Sequence, residues 1–244
     1  MDGIRVLMTT VSQSIGSRDE RLLHASLMLL TFVSGLVDAA SFLGMGHIFI
    51  ANMTGNVVFM SLAAVGVPQL SLTKSTVSLV AVFVGGGIAD YLDTRLFWRR
   101  RNEWLAFAFG LEALLLTLSA VASHASVQQQ LGPEWAIWAV ILCAGTSMGI
   151  RNGTMRRLAV QDLMSTVAGL APKAARTGDL NVRWPCRAAS NSLMFSGVAC
   201  GALLLRFSLC AVLASGAAIS AVCMVLQLIR EETDREAELR MRIL

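Results

Sequence analysis

The chain of 244 residues is 55% apolar and only 15% charged, with a formal net charge of +4. Soluble domains average about 45–50% apolar and about 25% charged residues, so this composition excludes an ordinary soluble enzyme. The apolar excess also excludes a disordered chain, and the small net charge is weak support for nucleic-acid binding. The composition therefore predicts an integral membrane protein.

A transmembrane helix needs about 20 largely apolar residues, and six stretches of the chain approach or exceed that length. They predict an all-α, polytopic membrane protein with six spans. The predicted spans are residues 23–46, 76–97, 105–123, 135–151, 188–205 and 208–229. They divide the chain into a cytoplasmic N-terminal segment (1–21), a single transmembrane domain (22–229) and a charged cytoplasmic tail (230–244).

Two further apolar segments, residues 47–66 and residues 158–171, are interrupted by polar residues. The distribution of Lys and Arg indicates whether they cross, because cytoplasmic loops hold the excess of both. If neither segment crosses, 18 of the 20 basic residues, Arg151 included, lie on one side and leave Lys74 and Arg206 on the other. Every alternative divides the basic residues more evenly. We therefore predict six spans with both termini in the cytoplasm.

The six-span arrangement divides into two halves, residues 22–123 and residues 135–229. Each half has one span, then an interrupted segment, then two further spans, and the halves begin on opposite sides of the membrane. This order predicts an inverted repeat with two re-entrant segments, a design that recurs in transporters. Residue identity between the halves is close to chance, so the prediction rests on segment order and charge. The alternative is that both interrupted segments lie on the membrane surface.

Polar residues within the apolar segments are the candidate site. Ionisable groups inside a membrane are costly and mark functional sites, which singles out Asp38 in the first span and Glu112 in the third. Asn52, Thr54 and Asn56 can both donate and accept hydrogen bonds, so they suit a small neutral solute or a partly dehydrated ion. The alternatives are a structural hydrogen bond for Asp38 and backbone contacts for the other three.

The second half offers Asn152, Asp162 and Thr166 as counterparts, although Asp162 could instead pair with Arg156 or Arg157. These three residues complete the predicted solute path. Glycines at four-residue spacing predict close helix packing with no chemistry of its own. They are Gly145, Gly149, Gly153, Gly197 and Gly201. The cysteines form no C-x-x-C pair, so neither a metal site nor a cofactor is expected.

Residues 35–56, GLVDAASFLGMGHIFIANMTGN, resemble the signature of the YoaK-like bacterial membrane proteins, the domain of unknown function 1275. Residues 148–170 resemble the second-half block of that family, and residues 197–204 resemble its late Gly/Ala-rich span. The resemblance extends over residues 22–229. It implies a six-span protein of the bacterial inner membrane and implies little about activity.

Taken together, these patterns favour a secondary transporter or channel for a small solute, and not an enzyme. The expected partners are the lipid bilayer, the unknown solute and a possible second copy of the chain, with no nucleic acid. The first alternative is a membrane partner or assembly protein that transports nothing. The second is an intramembrane enzyme acting on lipid, with Asp38 or Glu112 as its general base.

Overall fold

The computed structural model describes residues 2–96, 101–127, 134–167 and 180–243. Within these ranges the chain forms seven α-helices and no β-strand. The helices are α1 (Asp2–Gly44), α2 (Met53–Ala64), α3 (Leu72–Leu96), α4 (Arg101–Val127), α5 (Glu134–Val167), α6 (Leu180–Leu204) and α7 (Leu209–Ile243). The prediction of an all-helical protein is confirmed for the part of the chain that is described.

Four stretches of these helices are long and apolar enough to cross a membrane. They are Leu22–Gly44, Leu72–Leu96, Glu103–His124 and Leu209–Thr233. The predicted span 188–205 coincides with a shorter apolar helix, Ala188–Leu204, and the predicted span 135–151 lies within α5. Length and composition therefore support crossing for four of the six predicted spans.

The helices expose large apolar side chains around the outside of the bundle. Phe83 is 71% exposed, Phe195 is 77% exposed and Val121 is 64% exposed. Such surface would be unfavourable in water by about 25 cal/mol per Å², whereas lipid chains remove that cost. Together with the apolar helices, this exposure indicates a protein whose outer surface faces lipid.

The interrupted segment 158–171 does not form a separate re-entrant element, and that prediction is wrong for residues 158–167. α5 runs unbroken over 34 residues, which corresponds to about 51 Å, against about 30 Å for the hydrocarbon core of a bilayer. Residues 154–167 contain neither Gly nor Pro, and polar side chains alone do not end a helix. Residues 168–171 lie outside the described ranges.

Two pairs of helices cross at closely similar glycine contacts. α1 packs on α6 where Gly35 meets Gly197, and α3 packs on α5 where Gly85 meets Gly149. A Cβ atom at Gly149 would lie only 2.2 Å from the carbonyl oxygen of Val82, so the crossing requires glycine. The predicted glycine stripes are therefore confirmed as sites of close helix packing.

Both glycine crossings join parallel helices. On α3 and α5, Ala81 faces Gly145 and Ala89 faces Gly153. On α1 and α6, contacts run in the same order, from Met28 with Ser190 to Ala39 with Gly201. In contrast, α4 and α7 are antiparallel, because Gly110 contacts Met224 whereas Leu116 contacts Gly216.

The start of α3 lies beside the end of α1, which brings the interrupted segment 47–66 between them. Lys74 Nζ donates a hydrogen bond of 3.0 Å to the carbonyl oxygen of Met45. Residues 45–52 are not helical, yet Ile48 and Ile50 are fully buried in the main apolar core. This part of the segment therefore enters the bundle and does not lie on its surface.

Candidate functional site

The first part of the site is the carboxyl group of Asp38, which is 2% exposed and lies in the last two turns of α1. Its Oδ1 atom accepts N–H hydrogen bonds from Ala51 at 2.7 Å, Ile50 at 3.1 Å and Asn52 at 3.4 Å. These amides belong to the non-helical segment 45–52, so they have no helical partner of their own. The carboxylate thus ties this segment to α1.

The second carboxylate oxygen of Asp38 differs from the first in its hydrogen bonding. Oδ2 is buried and has no hydrogen-bond partner among the described residues. Hydrogen bonds to a charged group contribute about 1.5–3 kcal/mol each, and burying an ion costs several kcal/mol. The three amides therefore offset much of the cost of the ionised group, but they bond to Oδ1 alone and not to Oδ2.

Asn56 has a mainly structural role. Its amide pairs with both backbone groups of Phe49: Oδ1 accepts the N–H at 2.8 Å, and Nδ2 donates to the carbonyl oxygen. Ser78 Oγ on α3 donates to that same carbonyl oxygen at 2.9 Å. The Phe49 ring stacks between Phe42 and Phe59, with centroids 5.4 and 5.2 Å away. Asn56 therefore satisfies the backbone of the segment, the alternative raised by the sequence.

The remaining candidates differ in their exposure. Asn52 and Thr54 are both exposed at the start of α2, where Thr54 Oγ1 donates to Asn52 Oδ1 at 2.8 Å. Asn152 is half-buried on α5. The side chains of Asp162 and Thr166 lie outside the part that the structure describes. Asn52 and Thr54 are thus the exposed candidates near Asp38.

Glu112 occupies a second buried cluster, in which it is bound to Arg151. Arg151 Nε donates to Glu112 Oε2 at 3.0 Å, and Arg151 Nη2 donates to Glu112 Oε1. Ser220 of α7 donates to Oε1 at 2.5 Å. Arg151 Nη1 reaches α1, with bonds of 2.7 Å to the carbonyl oxygen of Leu30 and to Ser34 Oγ. One ion pair therefore joins α1, α4, α5 and α7.

Arg151 is the main residue that sequence reasoning placed wrongly. It was counted with the cytoplasmic basic residues, whereas the structure buries it to 4% exposure beside Glu112. The sequence contained a signal for this, because a buried carboxylate such as Glu112 requires a cation or a proton. The partners Ser34 and Ser220 carried no such signal, because serine is common on membrane helices.

The buried charges of the described residues do not balance. Asp93 pairs with Arg157, and Glu112 pairs with Arg151. Asp38 has no cation of its own, and Arg151 acts on it electrostatically while bound to Glu112. One negative charge is therefore left in excess in the interior when all these groups are ionised.

The profile of a protein family described as "Protein of unknown function (DUF1275)" matches residues 26–226. The UPF0700 transmembrane protein YoaK of Bacillus subtilis (strain 168) is 31% identical over 141 residues. That alignment covers 58% of this chain and 60% of the relative, less than two thirds of its length. No solved structure matches the chain.

Proposed function

Because the chain belongs to the DUF1275 family of membrane proteins, whose function is unknown, we propose a function from the geometry of the site. The protein is a secondary transporter or channel for a small solute, and the path passes Asp38, Asn52 and Thr54. The observation that carries this proposal is the buried Oδ2 of Asp38 beside a non-helical segment, without a hydrogen-bond partner among the residues that the structure describes. Irregular backbone at membrane depth persists where it is enclosed by protein or lines a cavity.

The proposed architecture is six spans in an inverted repeat, with both termini at the cytoplasmic side of a bacterial inner membrane. The matched parallel crossings support it. In one, Gly35 of the first half's first span meets Gly197 of the second half's second span. In the other, Gly149 of the second half's first span meets Gly85 of the first half's second span, so the two contacts are equivalent with the halves interchanged. The antiparallel pair of α4 and α7 supports it as well. These helices contain the third span of each half, and a two-fold axis in the membrane plane that passes between them would make them antiparallel.

Within this path the polar residues have different tasks. Asn52 and Thr54 contact the solute, since they are exposed and offer both donors and acceptors. Asn56 holds Phe49 and the segment in place. The pair of Glu112 and Arg151 holds the two halves in register. Neutral solutes with hydroxyl or amide groups fit the two contact residues best.

The proposal is tested by comparing metabolites in cells that lack the protein with those in cells that overproduce it. We expect at least one small polar solute to differ in steady-state level, and Asp38→Asn to abolish that difference. Asp90→Asn is the matched control, because Asp90 is an exposed carboxylate on α3, and it should preserve the difference. A metabolite profile that is identical with and without the protein would contradict the proposal.

A second candidate function is supported by the length of the helices. α1 has 43 residues and α7 has 35, about 65 and 53 Å, so both extend well beyond a hydrocarbon core of about 30 Å. Arg235 of α7 binds Glu103 of α4 at 3.0 Å, beyond the apolar stretch Leu209–Thr233. This helical surface suits a cytoplasmic partner. Co-purification of one stoichiometric partner, with no solute flux, would favour the assembly role.

A further inference from the structure

We propose that Asp38 is a proton-operated latch on the segment 45–52. In the ionised state the carboxylate holds the segment in the bundle, and in the protonated state it releases it. The proton is then the ion that controls access to the solute path, a consequence that rests on the proposed transport function. The latch itself does not depend on transport.

The interior of the described bundle carries an excess negative charge. Of the buried ionised groups described above, Asp38 alone has no cation of its own. An uncompensated charge in a medium of low dielectric is strongly unfavourable, so the site favours uptake of one positive charge. Oδ2 is the atom available to receive it, because it is buried without a partner in the described structure.

The chemistry around the carboxyl group of Asp38 selects a proton over a metal ion. Oδ1 faces the amide N–H groups of Ile50, Ala51 and Asn52, which are donors and repel a cation. A hard metal ion requires several oxygen ligands around it. The hydrogen bonds described here bring N–H donors to this carboxyl, whereas a proton requires only Oδ2.

The charged groups near Asp38 already have other partners, so Asp38 is the group that responds to a change in pH. Arg151 of α5 acts on it and is bound to Glu112 of α4, while Lys74 of α3 is bound to Met45. The nearby loop contributes His47, which packs edge-on against Phe42. In the described parts of α6 and α7 packed on this half of α1, the titratable groups are the thiols Cys200 and Cys210.

The step is a reversible proton transfer from water on the side where α1 ends. The proton binds to Oδ2, the charge on Oδ1 is lost, and its three hydrogen bonds change from charge-assisted to neutral. Charge-assisted bonds are roughly twice as strong as neutral ones, so the hold on the segment weakens. Residues 45–52 then leave the core, and loss of the proton to the same water restores the latch.

The test measures how accessible residue 51 is in the full-length protein reconstituted in liposomes. Ala51→Cys, in a background with the native cysteines replaced, is the reporter, and its labelling by an impermeant maleimide is followed from about pH 4 to 8. Val65→Cys is the reference, because Val65 is 78% exposed in the next loop. The ratio of the two labelling rates removes the intrinsic pH dependence of the thiol.

We expect the ratio to rise about tenfold for each unit by which the pH falls while the carboxyl is mostly ionised, since each pH unit changes the ratio of protonated to ionised carboxyl tenfold, and then to level off. Asp38→Asn, which imitates the protonated group, should give a high ratio at every pH, whereas Asp90→Asn should behave like the unmodified chain. Sodium at constant pH should have no effect. A ratio that follows sodium and not pH, or a pH response that survives Asp38→Asn, would overturn the latch.

Hydrogen exchange of residues 45–56 in the unmodified protein, corrected for the intrinsic exchange rate, provides a second measurement should the cysteine-free background not fold. Faster corrected exchange at low pH supports the latch, and equal exchange contradicts it. The two proposals fail separately. A solute flux without a pH-dependent segment removes the latch alone, and a pH-dependent segment without flux removes the transport function alone.

Discussion

Asp38 and Glu112 are both buried carboxylates, but their surroundings give them different roles. Glu112 binds a guanidinium through both oxygens, so its charge is neutralised inside the bundle. Asp38 binds three amides through one oxygen, and its other oxygen has no hydrogen-bond partner in the part of the chain that the structure describes. A residue whose hydrogen-bonding capacity is unused in the folded protein is the better candidate for binding a ligand or proton. We therefore propose a functional role for Asp38 and a packing role for Glu112.

The ion pair of Glu112 and Arg151 gives a prediction at the residue scale. Arg151→Met should lower the free energy of unfolding by about 3–5 kcal/mol, because it leaves Glu112 buried without a cation. Adding Glu112→Gln to that variant should recover part of the loss. Unfolding in mixed detergent micelles measures both effects.

The control for that experiment is Arg235→Met. Arg235 is 64% exposed and binds two glutamates, Glu103 and Glu231, so its loss should cost at most about 1 kcal/mol. Equal losses for Arg151→Met and Arg235→Met would show that the buried pair does not stabilise the bundle.

Asn56 gives a second prediction at this scale. Asn56→Leu removes the acceptor of the Phe49 N–H, and leaving a buried donor unpaired costs about 1–3 kcal/mol. Thr54→Val, at an exposed position on the same helix, should change the thermal unfolding midpoint little. If the two variants have the same midpoint, the amide does not support the segment.

At the scale of helices, the glycine contacts determine which pairs approach closely. Gly149→Ala should destabilise the protein by about 1–3 kcal/mol, because a Cβ there would overlap the carbonyl oxygen of Val82. Gly87→Ala is the matched control, since a Cβ at Gly87 meets nothing within 4 Å. Alanine is the better helix former by about 1 kcal/mol, so the control should be neutral or stabilising. The same sign for both variants in thermal unfolding would argue against the close crossing.

The sequence predicted the helices better than it predicted their ends and partners. Apolar runs and glycine spacing are local features, so the four spans that length and composition support and the packing role of Gly149 follow directly from them. The continuation of α5 through Val167 could not be predicted, because polar residues in an apolar run indicate either an interruption or a helix leaving the membrane. The burial of Arg151 depends on Glu112, 39 residues away in the chain, which no local pattern shows.

The site was likewise only partly predictable. Asp38, Asn52, Thr54 and Asn56 are recognisable as polar groups in an apolar setting. The roles proposed for them, one latch, two exposed solute contacts and one backbone support, depend on where the segment 45–52 folds. That fold is set by tertiary contacts such as the hydrogen bond from Ser78 to Phe49.

At the scale of the whole molecule, the proposed topology is tested with single cysteines in a cysteine-free background. Val65→Cys should react with an impermeant thiol reagent added to intact cells, and Arg95→Cys should react after the cells are opened. Val65 and Arg95 are exposed near opposite ends of the hairpin formed by α2 and α3, so both thiols are accessible to water. Labelling of both positions in intact cells would contradict the six-span arrangement.

The central claim is that a solute path passes the start of α2 beside Asp38. Its most direct test is efflux from liposomes that contain the purified protein and are loaded with a cellular metabolite extract. We predict that at least one polar solute leaves faster than from protein-free liposomes.

Combining Asn52→Leu with Thr54→Val should slow that efflux about tenfold, equivalent to losing about 1.4 kcal/mol of interaction with the solute. Ser61→Ala, at an exposed serine on α2, should leave efflux unchanged. Equal efflux with and without the protein, or from the double variant and the unmodified chain, would contradict the claim.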